Sequence, residues 1–334
     1  MPFTRRALGA LLLAAASPCT VRAQAPAWPS KPLKIVVPNA PGGTSDLLAR
    51  MLSKPLQDAL GVPVVVDNRA GAGGNLGAQA VAQSTDGHTV LLCDLGSLAI
   101  APSVFNNLAY QPERDLQGVT LLASAPHLLV VHPSVPASTL PELVAFSRKA
   151  PVSVAIPGGG TPNHLATVQI AQASGLQWTP VPYRGGAPAV ADTVGNSTQV
   201  VLNGMPATLP LVQTGKLKAI GVSRATRSPL LPQVPTLAEQ GLKGFESGTW
   251  QGVTAPATLP REHVARLQAE LVRIIRSPAL RSQLVQAGLE VATTSPAETQ
   301  AFIARERLRW AQVVQAAGGA VSGDRKSTRL NSSH

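Results

Sequence analysis

Short runs of apolar, often β-branched residues alternate along the chain with longer segments in which apolar residues recur at helical spacing. In the first third, this pattern predicts strands at Leu33–Val37, Val62–Val66 and Thr89–Cys93, and helices at Ser45–Leu60 and Asn75–Gln83. An order in which strand and helix alternate is typical of a mostly parallel sheet with helices on both faces.

The alternation restarts in the middle of the chain. Strands are predicted at Leu128–Val131, Val152–Ile156, Thr179–Pro182, Gln199–Leu202 and Leu217–Val222, and helices at Leu140–Lys149, Asn163–Ser174 and Ala187–Val194. The later helices Arg261–Arg276, Pro278–Gln286 and Pro296–Ala317 have no clear sheet of their own, so we expect them to pack on the first unit. The sequence therefore predicts an α/β protein of two lobes with a ligand cleft between them. Lobe 1 is expected to be discontinuous, at 24–123 and 227–323, and lobe 2 to be inserted at 124–226.

The two ends of the chain depart from this pattern. Arg5 and Arg6, followed by the uncharged apolar run Ala7–Ala16, are typical of a signal peptide, and small residues at 21 and 23 favour cleavage after residue 23. The arginine pair leaves the export route open between general secretion and the twin-arginine pathway. Residues 324–334 resemble the translation of a sequencing adapter, so we leave them out of the fold prediction.

The net charge of the chain argues against nucleic acid as a partner. It is +11 for the whole chain, but residues 1–23 and 324–334 together hold five of these charges, which leaves +6 for the two lobes. The sequence has no basic run and no set of aromatic residues suited to stacking on bases, so we expect no nucleic-acid binding. A mildly positive field instead favours small anionic solutes.

The sequence contains no catalytic or metal-binding motif that identifies an enzyme. Gly71–Gly77 is similar to a dinucleotide-binding loop, but Leu76 occupies the position of the third glycine. The sequence has no phosphate-binding loop, nucleophile elbow or zinc-protease motif, and its histidines show no metal-ligand spacing to one another or to Cys93. Cys93 alone remains once the signal peptide is removed, so an internal disulfide cannot form. We therefore predict a binding protein that uses neither a metal nor another cofactor.

A glycine-rich turn recurs between a predicted strand and the helix that follows it. These turns are Pro41–Ser45, Gly71–Asn75, Gly158–Thr161 and Gly185–Gly186. At the carboxyl edge of a parallel sheet, each turn presents backbone N–H groups at the positive end of a helix dipole. Glycine is also common in any tight turn. However, two such turns in each lobe predict a cleft that holds carboxylates from both sides.

These turns and the segments around them carry a resemblance to a known family. The matching stretches are Trp28–Pro32, Val37–Asp46, Asp67–Gly77, Leu98–Pro102, His132–Ser134, Thr161–Ala166, Val181–Ala189, Met205–Ala207 and Val234–Thr236. In this order they closely resemble the Bug family of periplasmic solute-binding proteins, the extracytoplasmic receptors of tripartite tricarboxylate transporters. The resemblance covers nearly all of the chain after the signal peptide, and it implies a periplasmic location.

The resemblance implies a type II periplasmic-binding-protein fold with a ligand pocket between its lobes. The implied ligand-binding residues are Gly42, Gly43, Thr44, Ser45, Asp46, Gly73, Gly74, Asn75, Ser97, Thr161, Asn163, His164, Tyr183, Arg184, Gly185 and Asn203. In that family, backbone groups and ordered waters of the first lobe hold a ligand carboxylate. Asp46 occupies a position that accepts a hydrogen bond from a ligand hydroxyl or amine. Helix capping remains an alternative role for both Asp46 and His164.

Several positions near the implied pocket depart from the family pattern. Asn39 replaces an aromatic residue, Asp94 adds an acid shortly before Ser97, and Arg184 replaces a lysine. Asn203–Gly204 stands where an Asp-Asn pair is common. The added acid disfavours a tricarboxylate, and the identity of the solute stays open.

The sequence leaves three hypotheses of function. The first is a monomeric receptor that captures a small organic anion, such as a carboxylate, an amino acid or a dicarboxylate, for the membrane subunits of a transporter. The second is a receptor that presents its ligand to a membrane sensor kinase. The third, a periplasmic enzyme on the same scaffold, lacks a reactive group of residues to support it.

Overall fold

The computed structural model of the protein describes residues 28–105 and 107–316, so the predicted signal peptide and the adapter-like tail lie outside the described residues. The strands are β1 Leu33–Val37, β2 Val64–Asn68, β3 Thr89–Asp94, β4 Leu116–Val131, β5 Ser153–Ile156, β6 Thr179–Pro182, β7 Val200–Gly204, β8 Lys218–Val222, β9 Gly248–Pro256 and β10 Glu290–Val291. The helices are α1 Thr44–Leu60, α2 Asn75–Ala82, α3 Leu95–Val104, α4 Pro112–Asp115, α5 Leu140–Ser147, α6 Pro162–Ser174, α7 Gly186–Val194, α8 Met205–Gln213, α9 Arg261–Ile275, α10 Pro278–Gln286 and α11 Pro296–Ala316.

One long strand, β4, belongs to the sheets of both lobes. In the first sheet, β2, β1 and β3 run parallel, and β9 and β4 continue the sheet in antiparallel pairings. In the second, β4 pairs with β7 and β8, and β5 and β6 extend from β7 in parallel. Along β4, pairing with β9 ends at Pro126 and pairing with β7 begins at His127. The lobes therefore meet on a continuous strand.

Helices cover both faces of the first sheet. Leu48, Leu52 and Leu56 recur every fourth residue along α1 and form a fully buried apolar face. That face packs in one core with Leu267 and Leu271 of α9. On the opposite face, α11 contributes Phe302 and Ile303 to a second core beneath β3 and β4. Two of the C-terminal helices, α9 and α11, thus pack against the first sheet.

The chain returns to the first lobe later than we expected. Leu231 and Val234 pack in the core beside α7 and α8, and Leu237 and Leu242 pack in the core beneath β5 and β7. These apolar side chains bury against the second sheet, so the segment after β8 belongs with lobe 2. The return takes place where β9 begins at Gly248, which replaces the expected boundary between residues 226 and 227.

Five elements of this fold are missing from the sequence prediction: α3, α8 and β9, and the short elements α4 and β10. Helix α3 is apolar on nearly all sides and contains Pro102, so it shows no helical periodicity. Helix α8 contains Pro206 and Pro210, which suggest a loop from sequence. Strand β9 mixes glycine, glutamine and threonine with few apolar residues. Two of these elements, α3 and β9, border the cleft described below.

Within the described residues, no helix combines the length and apolar character that crossing a membrane requires.

Candidate functional site

A cavity of about 50 Å³ lies between the lobes, where the loops after β1, β3 and β5 meet. The first lobe lines it with Asn39, Gly43, Thr44, Ser45, Asp94, Ser97, Thr249 and Gln251, and the second lobe with Pro157, Thr161, Asn163, Gly186 and Asn203. Because strands β1, β3 and β5 end at this point, the cavity occupies the crevice outside the carboxyl ends of the strands, where open α/β sheets bind ligands.

A smaller pocket of about 10 Å³ adjoins this cavity on the side of the first lobe. Gly73, Gly74 and Asn75 line it, and it shares Asn39, Asp94 and Ser97 with the larger cavity. The hydroxyl of Tyr110 donates a hydrogen bond to Oδ1 of Asn75 at 3.0 Å. Nδ2 of Asn75 is buried without a partner in the described part of the chain. The second glycine turn therefore forms a recess of the cleft, large enough for about one water molecule.

Most polar side chains that line the cavity are held by neighbours within the protein. Ser45 donates through Oγ to Oε1 of Gln251 at 2.7 Å. Nδ2 of Asn163 donates to the carbonyl of Leu202 and to Oδ1 of Asn203, both at 3.2 Å. These bonds fix the orientation of the side chains before any ligand arrives.

Two lining atoms are buried without a hydrogen-bond partner among the described residues: Nδ2 of Asn203 and Oγ1 of Thr249. Leaving such a group unpaired costs about 1–3 kcal/mol, so buried polar atoms without partners are rare in folded proteins. Asn203 belongs to the second lobe and Thr249 to the first. A molecule bound in the cavity could pair with both groups.

The helix starts around the cavity leave backbone N–H groups open to a ligand. Helix α1 begins after Gly43 and helix α7 after Gly185, and neither glycine has a side chain that could cap the helix. Helix α6 differs, because the Oγ1 atom of Thr161 accepts from the backbone N–H of His164. Uncapped helix starts attract anions through the helix dipole. The prediction of anion-binding turns thus has a structural counterpart at α1 and α7.

Asp94 is the only ionisable residue among those that line the cavity. It caps α3, and its Oδ1 accepts from the backbone N–H groups of Gly96 at 3.0 Å and Trp250 at 3.2 Å. Burial raises the pKa of Asp94 to about 7, these two hydrogen bonds oppose the increase, and the charge of Glu306 adds to it. A carboxyl group that titrates near neutral pH therefore lies in the cavity wall.

The two lobes touch across the cleft. A Cβ atom on Gly73 would lie 2.4 Å from the carbonyl oxygen of Gly159 in the opposite lobe, and Gly73 also has φ of +66°. A Cβ atom on Gly96 would lie 2.9 Å from Pro162 of the second lobe. Approach this close requires glycine at these positions. The lobes are therefore in direct contact beside the cavity.

The structure brings ten of the predicted site residues to the two cavities. Those at the larger one are Gly43, Thr44, Ser45, Ser97, Thr161, Asn163 and Asn203, and those at the smaller one are Gly73, Gly74 and Asn75. Two further predicted glycines lie at the lobe interface. A Cβ atom on Gly42 would meet Ala187, and one on Gly185 would meet Ala40. These two glycines allow the lobes to approach but do not line either cavity.

Asp46 lies behind the first glycine turn and not on the cavity wall. Its Oδ2 accepts from the backbone N–H of Gly42 at 2.8 Å and from Nε of Arg50 at 2.9 Å, and its Oδ1 accepts from Nδ2 of Asn68 at 3.0 Å. Burial opposes ionisation, but hydrogen bonds from Arg50, Gly42 and Asn68 hold the pKa of Asp46 below its usual range. Because both oxygens accept hydrogen bonds within the protein, Asp46 stabilises the turn.

Three other predicted residues of the second lobe, His164, Tyr183 and Arg184, are not among those that line the cavity. His164 lines a separate groove on the second lobe, and its Nδ1 accepts from the backbone N–H of Gly160 at 3.2 Å. Burial lowers the pKa of His164. The hydroxyl of Tyr183 donates to Asp192 at 2.7 Å, and Arg184 is exposed. Sequence proximity to the turns placed these residues in the predicted site, but their side chains pack or project elsewhere.

Sequence reasoning did not select four of the lining residues that the structure identifies. Thr249 and Gln251 lie on β9, which was not predicted, and Pro157 and Gly186 flank turns whose neighbours were selected. Thr249 and Gln251 are two residues apart and so face the same side of a strand. Asn39 and Asp94, noted as departures from the family pattern, prove to line the cavity as well.

Comparison with known proteins agrees with this architecture. The chain is 35% identical over 295 residues to protein BugT of Bordetella pertussis, which covers 87% of this chain and 90% of BugT. The solved structure of R. palustris Rpa4515 with adipate superposes with a TM-score of 0.84 at 32% identity, over 87% of this chain and 98% of that chain. The structure of periplasmic binding protein BugD gives a TM-score of 0.84 at 33% identity, over 88% of this chain and 99% of that chain.

These likenesses confirm the predicted α/β periplasmic-binding-protein fold. The neighbours are binding proteins, and their family is periplasmic. Within the described residues, no cluster of three or more candidate ligands for a metal ion is present. Residues 48–319 match the tripartite tricarboxylate transporter family receptor, and the chain belongs to that family.

Proposed function

We propose that the protein is a periplasmic receptor that captures a small organic carboxylate between its lobes and presents it to the membrane subunits of a tripartite transporter. The observation that carries the proposal is a pair of buried atoms without partners among the described residues, Nδ2 of Asn203 and Oγ1 of Thr249, on opposite walls of one cavity. A bound carboxylate would supply acceptors to both walls and so remove the cost of leaving them unpaired.

The helix starts support the same ligand chemistry. Backbone N–H groups at the beginning of α1 and α7 lack side-chain caps, and they lie on opposite sides of the cleft. Anions gain from such N-terminal helix positions without any basic side chain. A carboxylate group thus meets donors from the protein even though no arginine, lysine or histidine lines the cavity.

Contact between the lobes supports capture as the mode of action. A Cβ atom on Gly73 would overlap the carbonyl oxygen of Gly159, so the lobes touch beside the cavity, and β4 runs continuously from one sheet into the other. Hinge motion about shared strands is a common way for two-lobed binding proteins to enclose a ligand. In this proposal the ligand leaves unchanged, and the protein carries out no reaction.

The test begins with protein purified from its native periplasm, because mass spectrometry of the co-purified molecule identifies the solute directly. A thermal-shift screen of ligand-free protein with monocarboxylates, dicarboxylates and amino acids follows. A ligand at a hundred times its Kd adds about 2.7 kcal/mol to the stability of the folded state. We expect at least one carboxylate to raise the melting temperature.

Two variants sharpen the screen. Asn203→Leu removes the donor on the second-lobe wall and should abolish the shift, whereas Arg184→Ala alters an exposed residue away from the cavity and should retain it. A screen without any stabilising carboxylate would contradict the proposal. Conversion of the bound molecule into a product would support an enzyme instead. Transport by reconstituted membrane subunits only in the presence of the loaded receptor tests the proposed partner.

A further inference from the structure

We propose that Asp94 is the specificity-determining residue of the cavity, selecting small monocarboxylates that bear an ammonium or hydroxyl group beside the carboxylate over those that bear a second carboxylate there. This inference rests on the proposed function, since it names the class of carboxylate that the same cavity accepts. It is argued from the contacts of Asp94 in this chain.

The geometry of Asp94 leaves one of its oxygens for a ligand. Its Oδ1 is shared by the backbone N–H groups of Gly96 and Trp250, one on α3 and one on β9. These bonds fix the plane of the carboxyl group from two elements. No described residue donates a hydrogen bond to Oδ2, while Asp94 lines both the cavity and the adjoining pocket. A ligand that fills the cavity therefore meets an acceptor on this wall.

The charges around the cavity explain why a second ligand carboxylate is disfavoured. None of the residues that line the cavity or the adjoining pocket is a lysine, an arginine or a histidine. Among the described residues, the charge that acts on Asp94 is that of Glu306, which is also acidic and itself pairs with Arg309 at 3.4 Å. A dianion would thus place its second carboxylate beside an acid with no compensating cation, and a buried charge without a partner is strongly unfavourable.

The donors on the other walls determine how such a ligand is oriented. Nδ2 of Asn203 and Oγ1 of Thr249 are available to the carboxylate of the ligand, and Asp94 is available to its hydrogen-bond donor. A ligand with both groups on neighbouring carbon atoms can satisfy all three residues. A simple carboxylate without a donor would offer Oδ2 of Asp94 no hydrogen bond.

The size of the cavity restricts the ligand further. A space of about 50 Å³ holds roughly four water-sized groups, because one water needs ~10–15 Å³ in the same measure. The adjoining pocket adds about 10 Å³. The space is small, so the test uses small acids of three carbon atoms, which are of nearly equal size.

The ionisation of Asp94 is compatible with both kinds of donor. Burial raises the pKa of this carboxyl group to about 7, so a bound ammonium group would favour its charged form by direct attraction. A hydroxyl group can donate to the carboxylate, and it can also accept from the protonated acid. A second carboxylate can pair only with the protonated form.

The experiment compares four three-carbon acids by calorimetry at pH 8: propionate, lactate, alanine and malonate. Lactate and alanine carry a hydroxyl and an ammonium group on the carbon next to the carboxylate of propionate, and malonate has a second carboxylate in place of the methyl group. We expect wild-type protein to bind lactate or alanine about tenfold or more tightly than propionate and malonate, since one hydrogen bond to a charged group is worth at least that much. Asp94→Asn keeps an oxygen for Gly96 and Trp250 but replaces Oδ2 by a donor, so the preference should shrink or reverse toward malonate.

Asp58→Asn is the matched control, since it removes the same charge from an exposed position on α1 and should leave the order of affinities unchanged. If propionate or malonate binds wild-type protein as tightly as lactate and alanine, the inference is wrong while the proposed function stands. If only larger carboxylates such as adipate bind, the inference is likewise overturned. If no carboxylate binds at all, the proposed function fails first. The order of the four affinities in the wild-type protein tests the predicted selectivity even if Asp94→Asn does not fold.

Discussion

Nδ2 of Asn163 donates a hydrogen bond to Oδ1 of Asn203 at 3.2 Å, and this contact fixes which end of the Asn203 amide remains available. Oδ1 is occupied, so Nδ2 is the free atom, and it is buried without a partner among the described residues. The two asparagines come from α6 and from the end of β7, two adjacent elements of the second lobe. One side chain thus orients the other as a donor toward a ligand.

Asn203→Asp tests this donor with minimal change in shape. The remaining oxygen still accepts from Asn163, but the free end becomes an acceptor that repels a ligand carboxylate. We expect the affinity for the best carboxylate to fall by a factor on the order of a hundred, since a donor is lost and a like charge is added. Calorimetry measures the loss.

The matched control is Asn196→Asp, which makes the same chemical change on the surface of the second lobe. The affinity of Asn196→Asp for the same carboxylate should stay within about twofold of that of wild type. Circular dichroism checks that both variants are folded. Equal affinities in the two variants would show that Asn203 does not contact the ligand.

The sequence was a reliable guide wherever apolar periodicity governs burial. Strand Leu33–Val37 and helix Pro278–Gln286 have the predicted bounds, because one element faces the core directly and the other begins at a proline. The edge strand β2 lies at Val64–Asn68, two residues later than predicted. Its residues are mostly half-buried and show little alternation between apolar and polar side chains, so its ends are poorly marked in the sequence. Glycine turns were recognisable because glycine supplies the backbone shapes that tight turns require.

The site was predicted less completely than the fold, for a physical reason. Local sequence shows that Gly42–Asp46 forms a turn before a helix, but it does not show which side of the turn faces the cavity. Asp46 satisfies both oxygens behind the turn, and Tyr183 turns to Asp192. Thr249 and Gln251 reach the cavity only because β9 returns from the second lobe beside β3. Such long-range pairings leave no mark in a single segment of sequence.

Gly73→Ala should impair closure of the lobes. The added Cβ atom would lie 2.4 Å from the carbonyl oxygen of Gly159 in the second lobe, so the two turns could no longer touch. We expect weaker ligand binding and a loss of ligand-induced compaction in small-angle X-ray scattering.

Gly215→Ala provides the control for backbone strain in that experiment. Gly215 has φ of +70°, close to the +66° of Gly73, but a Cβ atom there meets no atom within 4 Å. Both variants should lose about 1 kcal/mol of stability from the left-handed conformation. Only Gly73→Ala should lose binding. Unchanged compaction in this variant would mean that the contact between the turns is not needed for closure.

Asp46→Asn should reduce stability without altering ligand selectivity. The carboxylate accepts from Gly42, Arg50 and Asn68, and an amide loses one of these acceptor oxygens. We expect a loss of about 2 kcal/mol at pH 7, the usual worth of hydrogen bonds to a charged group.

The contribution of Asp46 to stability should also depend on pH. Because the pKa of Asp46 is lowered in the folded protein, its contribution is present above the unfolded value of 3.8 and is lost as pH falls through the folded value. Urea denaturation at pH 7 and pH 2.5 should therefore show a smaller difference between variant and wild type at the acidic pH. A changed preference between lactate and propionate would instead indicate direct ligand contact.

In the ligand-free protein, Asp94 should make stability depend on pH in the opposite direction to Asp46. Burial raises its pKa from 3.8 to about 7, so between these values the folded state binds a proton that the unfolded state has released. Stability must then fall as pH rises from about 4 to 7, by up to about 4 kcal/mol for such a shift, and level off above that range. Among the neighbouring groups, the pKa of the Cys93 thiol and that of the Tyr110 phenol are raised by burial, so neither titrates in this range.

Urea denaturation of wild type and Asp94→Asn from pH 4 to pH 8 measures this effect. The variant cannot ionise at position 94, so its stability relative to wild type should increase steadily over the range, while Asp58→Asn should run parallel to wild type. A saturating amount of the preferred ligand should flatten the wild-type curve, because a donor beside Oδ2 stabilises the charged form that the empty cavity disfavours. The prediction fails if, without ligand, the stability of Asp94→Asn and that of wild type change in parallel with pH. Asp94 would then already be ionised at pH 4, and the cavity wall would be better solvated than its burial indicates.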